Sequence, residues 1–220
     1  FLQNFLTNKK TKTMPNQIGQ RLVFQNSKNA IKRAGLNPAT AVLSQSYLRF
    51  EAPLTTTQAT YTFDTLVNEN TNPNYVTQNK LNLQDAFVIS SIGFFVTVAA
   101  SSAVTESTMP LYTYPNNTVF TATSDDALYS LYNGNMQLTV NQRTILTGWD
   151  IARHFVVNQT QQTGTLLDQR NLAEDGFYPA EPNIVLVGSK KNILQLVMPN
   201  ALASITANSR VVCIVRGILA

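Results

Sequence analysis

The chain of 220 residues is 44% hydrophobic and 13% charged, long enough for one large folded domain and about half as charged as an average soluble protein. Asn, Gln, Ser and Thr make up roughly a third of it, and this composition excludes a disordered polyelectrolyte, a coiled coil and a surface built on ion-pair networks. A net charge of +4 with one Cys and one His excludes a disulfide framework and a multi-cysteine zinc site and leaves almost no room for a histidine-based metal site.

No apolar run reaches the ~18 residues of a membrane span. The N-terminus carries no secretory h-region, because Phe1, Leu2, Phe5 and Leu6 are followed at once by polar residues. The charge is segregated. Residues 1–50 hold Lys9, Lys10, Lys12, Arg21, Lys28, Lys32, Arg33 and Arg49 with no Asp or Glu, so this part is +8. The other eight cations stand against all 12 acidic residues and leave the remainder at −4. A basic arm over residues 1–37 thus precedes a mildly acidic body over residues 38–220. Such an arm suits a polyanion, because each Lys or Arg that reaches a phosphate releases a counterion. A solubilising tail, or an arm that docks on the acidic body of a neighbouring subunit, fits the same charges.

Lys9, Lys10, Thr11, Lys12 and Thr13 ahead of Pro15 read as extended. From Asn16, a candidate N-cap, a broken amphipathic helix follows, with Ile18 and Leu22 four apart, Ile31 and Ala34 three apart, and Gly35 as the stop. Gly19, Asn26, Ser27 and Asn29 lower its propensity, so it is expected to order only against a partner or the body.

After Pro38 the pattern changes to short β-branched and aromatic segments bounded by Asn, Asp, Gly, Pro and Thr. Strands are expected at Ala41 to Phe50, Thr57 to Val67, Ala86 to Ala99, Leu111 to Thr121, Met136 to Val140, Ile151 to Val157, Asn183 to Val187, Ile193 to Met198 and Arg210 to Ile218. Tyr61 and Phe63 alternate with Thr60, Thr62 and Asp64, the mark of one buried and one wet face. Phe87 to Val96 and Val211 to Val215 read as strands covered on both sides. Asn133-Gly134 between Leu128 to Tyr132 and Met136 to Val140 is the strongest hairpin cue. Ser124 is a candidate cap for a short helix over Asp125 to Leu131. Polar loops are expected over Asn68 to Asn79 and Asn158 to Pro182. Many strands without recurring helices predict an all-β, antiparallel β-sandwich of jelly-roll or related Greek-key kind.

Catalytic motifs are missing. There is no Gly-x-Ser-x-Gly and no phosphate-cradling glycine loop, and Cys213 within Val211 to Val215 reads as a buried, inert thiol. Asp150 and His154 are four apart with no nucleophile beside them, and His154 reads as structural. Asp125-Asp126 and Glu174-Asp175 lack the spacing of a calcium loop. No cofactor, metal site or enzyme activity is expected. Trp149, Tyr129, Tyr132, Phe177 and Tyr178 read as core or interface aromatics, because basic and aromatic residues lie largely in different parts of the chain, unlike a base-stacking platform.

An acid-free basic arm carrying Lys9, Lys10, Lys12, Arg21, Lys28, Lys32 and Arg33, on an Asn/Gln/Thr-rich, strand-dominated body with long polar loops, resembles a viral coat protein of the jelly-roll type. The resemblance is architectural and spans the whole chain. It implies a virion structural protein that self-assembles, with partners that are copies of itself, other virion proteins and genome nucleic acid bound without regard to sequence. The named cations would be inward or inter-subunit contacts. The lack of disulfides suits a bacteriophage or another virus assembled in a reducing host cytoplasm. Two alternatives stay open. One is a phage tail, head-completion or fibre-type interaction module, with glycan contact through Tyr75, Tyr112, Tyr114 and Tyr178. The other is an enzyme using Asp150, His154 and loop carboxylates.

Overall fold

The protein's structure, a computed structural model, describes residues 24–32, 35–64, 76–78, 81–101, 110–116, 119–120, 125–157 and 176–220. Within them the chain runs through a helix over residues 24–32 (α1), strands Ser44–Pro53 (β1), Thr60–Asp64 (β2), Val76–Gln78 (β3) and Ala86–Val98 (β4), and a helix Asp125–Tyr129 (α2). It continues through strands Asn135–Val140 (β5), Arg143–Asp150 (β6), Phe177–Val187 (β7), Asn192–Val197 (β8) and Ser209–Leu219 (β9). All pairings between these strands are antiparallel. One sheet has the order β3-β1-β9-β4-β7 and the other β2-β8-β5-β6, so the protein is an all-β sandwich.

Setting aside the three-residue β3, the pairing is nested. The first strand pairs with the last (β1 with β9), the second with the last but one (β2 with β8), β4 with β7, and β5 with β6. Two contacts, β9 with β4 and β8 with β5, then join these ribbons side by side. Alternation decides what lies between the sheets. Leu48, Phe50 and Ala52 of β1 and Val211, Cys213 and Val215 of β9 face Tyr61, Phe63, Met136, Leu138, Leu194 and Leu196 of the other sheet, all within one buried cluster. Cys213 Sγ lies 3.6 Å from Met136 Sδ across this core. The expected wet and dry faces of β2 are found: Tyr61 and Phe63 are buried while Thr60 is exposed. So is the two-sided burial of β4, where Phe87, Val88, Ile89, Phe94, Phe95 and Val96 are all buried.

Four local expectations are corrected. The short helix expected over Asp125 to Leu131 is found, and Leu128 to Tyr132 belongs to it rather than to a hairpin strand. It is α2 running into a 3-10 turn, Ser130–Asn133, because Leu128, Leu131 and Tyr132 recur at helical spacing and all three are buried. Asn133-Gly134 therefore makes no hairpin: Gly134 is extended (φ −79°, ψ 180°), and glycine is needed there because a Cβ would stand 2.8 Å from the Val197 carbonyl oxygen. The hairpin with both central residues left-handed is Asn141-Gln142, φ +50° and +65°, joining β5 to β6. Strand β6 went unforeseen because it is an edge strand exposed along most of its length, so it shows no apolar alternation.

The segment Leu111 to Thr121 forms no strand among its described residues. Pro115 interrupts it, Tyr112 makes a single bridge to Val96, and the Asn116 carbonyl accepts both the Val119 and Phe120 N–H groups and turns the chain. Ile151 to Val157 is likewise no strand. Asp150 Oδ1 accepts the Ala152 N–H at 3.0 Å, and a 3-10 turn, Ala152–His154, follows. Pro179 and Pro182, expected to close the long loop, lie inside β7. Proline is tolerated there because β7 is an edge strand that departs from β4 at a bulge between Ile89 and Ser91. The rest of that loop, residues 158–175, and Tyr75 with most of the loop at 68–79 lie outside the described residues.

Candidate functional site

Helix α1 lies on the outer face of the five-stranded sheet. Its Ala30 and Ile31 pack on Val88 of β4, flanked by Leu43, Val185 and Ile218. Ile31 is fully buried although it precedes the body in sequence. The helix stops as the sequence implies. Gly35 is left-handed (φ +89°), its N–H bonds the Lys32 carbonyl at 3.1 Å, and the Leu36 N–H bonds the Ile31 carbonyl at 3.3 Å. This is a Schellman cap, completed by the apolar contact of Leu36 with the same cluster as Ile31. The helix that composition makes weak is thus ordered by the body, through a small apolar footprint.

Of the seven arm cations, Lys9, Lys10, Lys12, Arg21 and Arg33 lie outside the described residues. Lys28 and Lys32 sit four apart on α1, away from the sheet; Lys32 is exposed and Lys28 half-buried. The Lys28 ammonium lies 4.7 Å from the centre of the exposed Phe24 ring, held against its π face. Two grooves line the sheet around the helix. One, of 540 Å³, is walled by Asn26, Asn29, Ser90, Pro179, Glu181 and Asn183. The other, of 680 Å³, runs between Ala30, Arg143, Ile145 and Val187.

The strand ends give the molecule two poles. At the pole where α1 sits are the start of β1, the end of β9, the β5–β6 hairpin and the β7–β8 turn, since Ser44 stands opposite Leu219, Ala86 opposite Val187, and Val140 opposite both Arg143 and Asn192. This brings together three cations the sequence reading left unremarked. Arg143 opens β6, Lys190 and Lys191 form the β7–β8 turn, and the Asn141 N–H bonds the Lys191 carbonyl at 2.8 Å. All three are exposed. Lys190-Lys191 directly after Gly188-Ser189 was the available signal.

No family model, curated protein or solved structure matches the chain.

Among the described residues, His154, Asp150 and Cys213 make the following contacts. His154 is fully buried. Its Nε2 accepts the Trp149 Nε1–H at 2.7 Å, which leaves Nδ1–H to donate to the Gly176 carbonyl, also at 2.7 Å. Burial pushes this imidazole down to about 4, with Arg153 adding in the same direction and the Gly176 bond and Asp150 opposing. Asp150 caps the following turn rather than His154. Burial pushes the Cys213 thiol up to about 12, so it stays protonated. Among the described residues no three His, Cys, Asp or Glu side chains gather as a metal cluster, and no helix is long and apolar enough to cross a membrane. Of the aromatics named for glycan contact, Tyr112 is buried beneath Phe120, Tyr114 and Tyr178 are half-buried, and Tyr75 is outside the described residues. Desolvation also raises the Tyr114 phenol above its ordinary value.

Proposed function

We propose that this protein is a virion structural subunit: a jelly-roll body that assembles with copies of itself and other virion proteins, without enzymatic activity. Its basic arm faces the genome or exchanges between subunits. Assembly takes place in a host cytoplasm, a bacteriophage host being the setting the low cysteine content favours. The observation that carries the reading is the nested pairing of eight strands into two packed sheets, with an acid-free basic arm entering at one pole. Nested pairing is how a double Greek key wraps, and capsid, lectin and cupin domains share that architecture. The fold alone therefore does not select among them. The arm favours the capsid role, since a segment of one charge sign tied to one pole of a wall-forming sandwich meets a polyanion on a single side.

The test compares the full chain with versions lacking residues 1–20 and 1–35, by negative-stain microscopy and light scattering at low and high salt, with and without nucleic acid. Closed shells or sheets that change with salt and with arm length are the expected result. A chain that stays small under every condition and ignores nucleic acid overturns the reading and favours a fibre or head-completion module.

A further inference from the structure

We propose that the pole of the sandwich beside α1 is itself a nucleic-acid-facing surface, with Arg143, Lys190 and Lys191 contacting the phosphate backbone alongside the arm. The inference rests on the virion role for its setting and adds to it an orientation of the body. The arm alone does not specify which way the sandwich points.

Three observations carry it. The first is convergence: the β5–β6 hairpin and the β7–β8 turn are hydrogen-bonded to each other, and Val140 has Arg143 on one side and Asn192, next to Lys191, on the other. The second is availability. Among the described residues the ion pairs are those of Glu51 with Arg49 and Arg210, and none involves Arg143, Lys190 or Lys191. The acidic residues described around this pole are Asp85, Asp64, which ends β2 opposite Ile193, and the exposed Glu181, which lines a groove with α1; of these, Asp85 is held within its own loop. Asp85 Oδ2 is taken by the Asn82 N–H at 2.9 Å and Asn82 Nδ2 at 3.1 Å. The third is continuity. Arg143 shares a groove with Ala30 of α1, so the cations of the body adjoin the arm. At the opposite pole β6 ends on the exposed Asp150, followed in the next turn by the exposed Arg153. The pole beside α1 thus gathers three exposed cations from two turns, although the body as a whole is acidic. A phosphate backbone attracts such a pole without reading sequence, through contacts that add and that salt weakens.

The experiment measures binding of a fluorescein-labelled 25-nucleotide oligo-dT strand by anisotropy between 50 and 300 mM NaCl. The proteins are the full chain, the triple variant Arg143→Gln/Lys190→Gln/Lys191→Gln, a chain lacking residues 1–20, and Arg153→Gln at the opposite pole as a charge control. Circular dichroism confirms the fold of each variant, and Trp149 fluorescence that of all but Arg153→Gln, whose guanidinium lies 4.2 Å from the centre of the Trp149 ring. The triple variant is expected to lose at least tenfold in affinity at 100 mM salt and about 2 from the slope of log K against log salt, from ~0.7 per contact. Arg153→Gln is expected to match the full chain. A wild-type slope in the triple variant, an equal loss in Arg153→Gln, or no binding by the full chain at 50 mM salt overturns the inference. Light scattering on the same samples separates the two readings. Particles with an unaltered slope remove only the phosphate surface, whereas a reduced slope without particles supports that surface and removes the virion role.

Discussion

Lowering the pH from 7 to 4 should destabilise the fold through one side chain, His154. In the native state its Nε2 must stay unprotonated, because it faces the Trp149 N–H. A second proton would set two donors against each other in a site with no water access. Unfolded, the imidazole titrates near 6.5; folded, burial holds it at about 4. Between these values the unfolded chain binds the extra proton and the native one does not, so stability rises with pH across this window. It is fully present above about pH 6.5 and is lost as pH falls toward 4. The linkage amounts to about 2 kcal/mol by pH 5 and about 3 kcal/mol by pH 4. The assay is urea unfolding at pH 7, 6, 5 and 4, followed by Trp149, the sole tryptophan, which stacks near the imidazole at 6.0 Å between ring centres. His154→Gln keeps an acceptor but cannot titrate, so the difference between wild type and variant isolates this group from the carboxylates. The same pH slope in both proteins, or a titration midpoint near 6.5 for the only histidine by NMR, refutes the reasoning.

Three further outcomes follow from the same geometry. Replacing Gln142 by Gly should stabilise the β5–β6 hairpin by about 1 kcal/mol, because Gln pays for a left-handed backbone that Gly adopts freely; a rise of about 2–4 °C in Tm checks it. Glu51→Ala leaves the buried Arg210 guanidinium without its carboxylate and should cost about 3–5 kcal/mol in urea titrations, while Glu51→Leu with Arg210→Met should recover most of that loss. Ile31→Ala removes the buried anchor of α1, worth about 2–4 kcal/mol of packing. Hydrogen exchange should then accelerate across residues 24–32 while the strands keep their protection, and uniform exchange throughout would show that the helix and body unfold as one unit.

Alternation was enough to place β2, β4, β8 and β9, because a strand with one or two buried faces must write its burial into every second residue or into a continuous apolar run. The thiol of Cys213, the structural role of His154 and the stop at Gly35 were legible for the same local reason. Each depends on its immediate neighbours. What depended on contacts distant in sequence was not legible. Edge strand β6 needs no apolar pattern, since its hydrogen bonds to β5 are what hold it. Asn133-Gly134 looked like a hairpin beside a helix over Asp125 to Leu131 that was itself legible, and the burial of Leu131 and Tyr132 decided between the two. Weak helix α1 forms because Val88, some 57 residues away, offers Ile31 a surface. Charge along the chain separated a basic arm from an acidic body. Only the nested strand pairing set Arg143 beside Lys190 and Lys191, because which turns meet at one end of a sandwich is decided by strand order, and strand order is a tertiary choice.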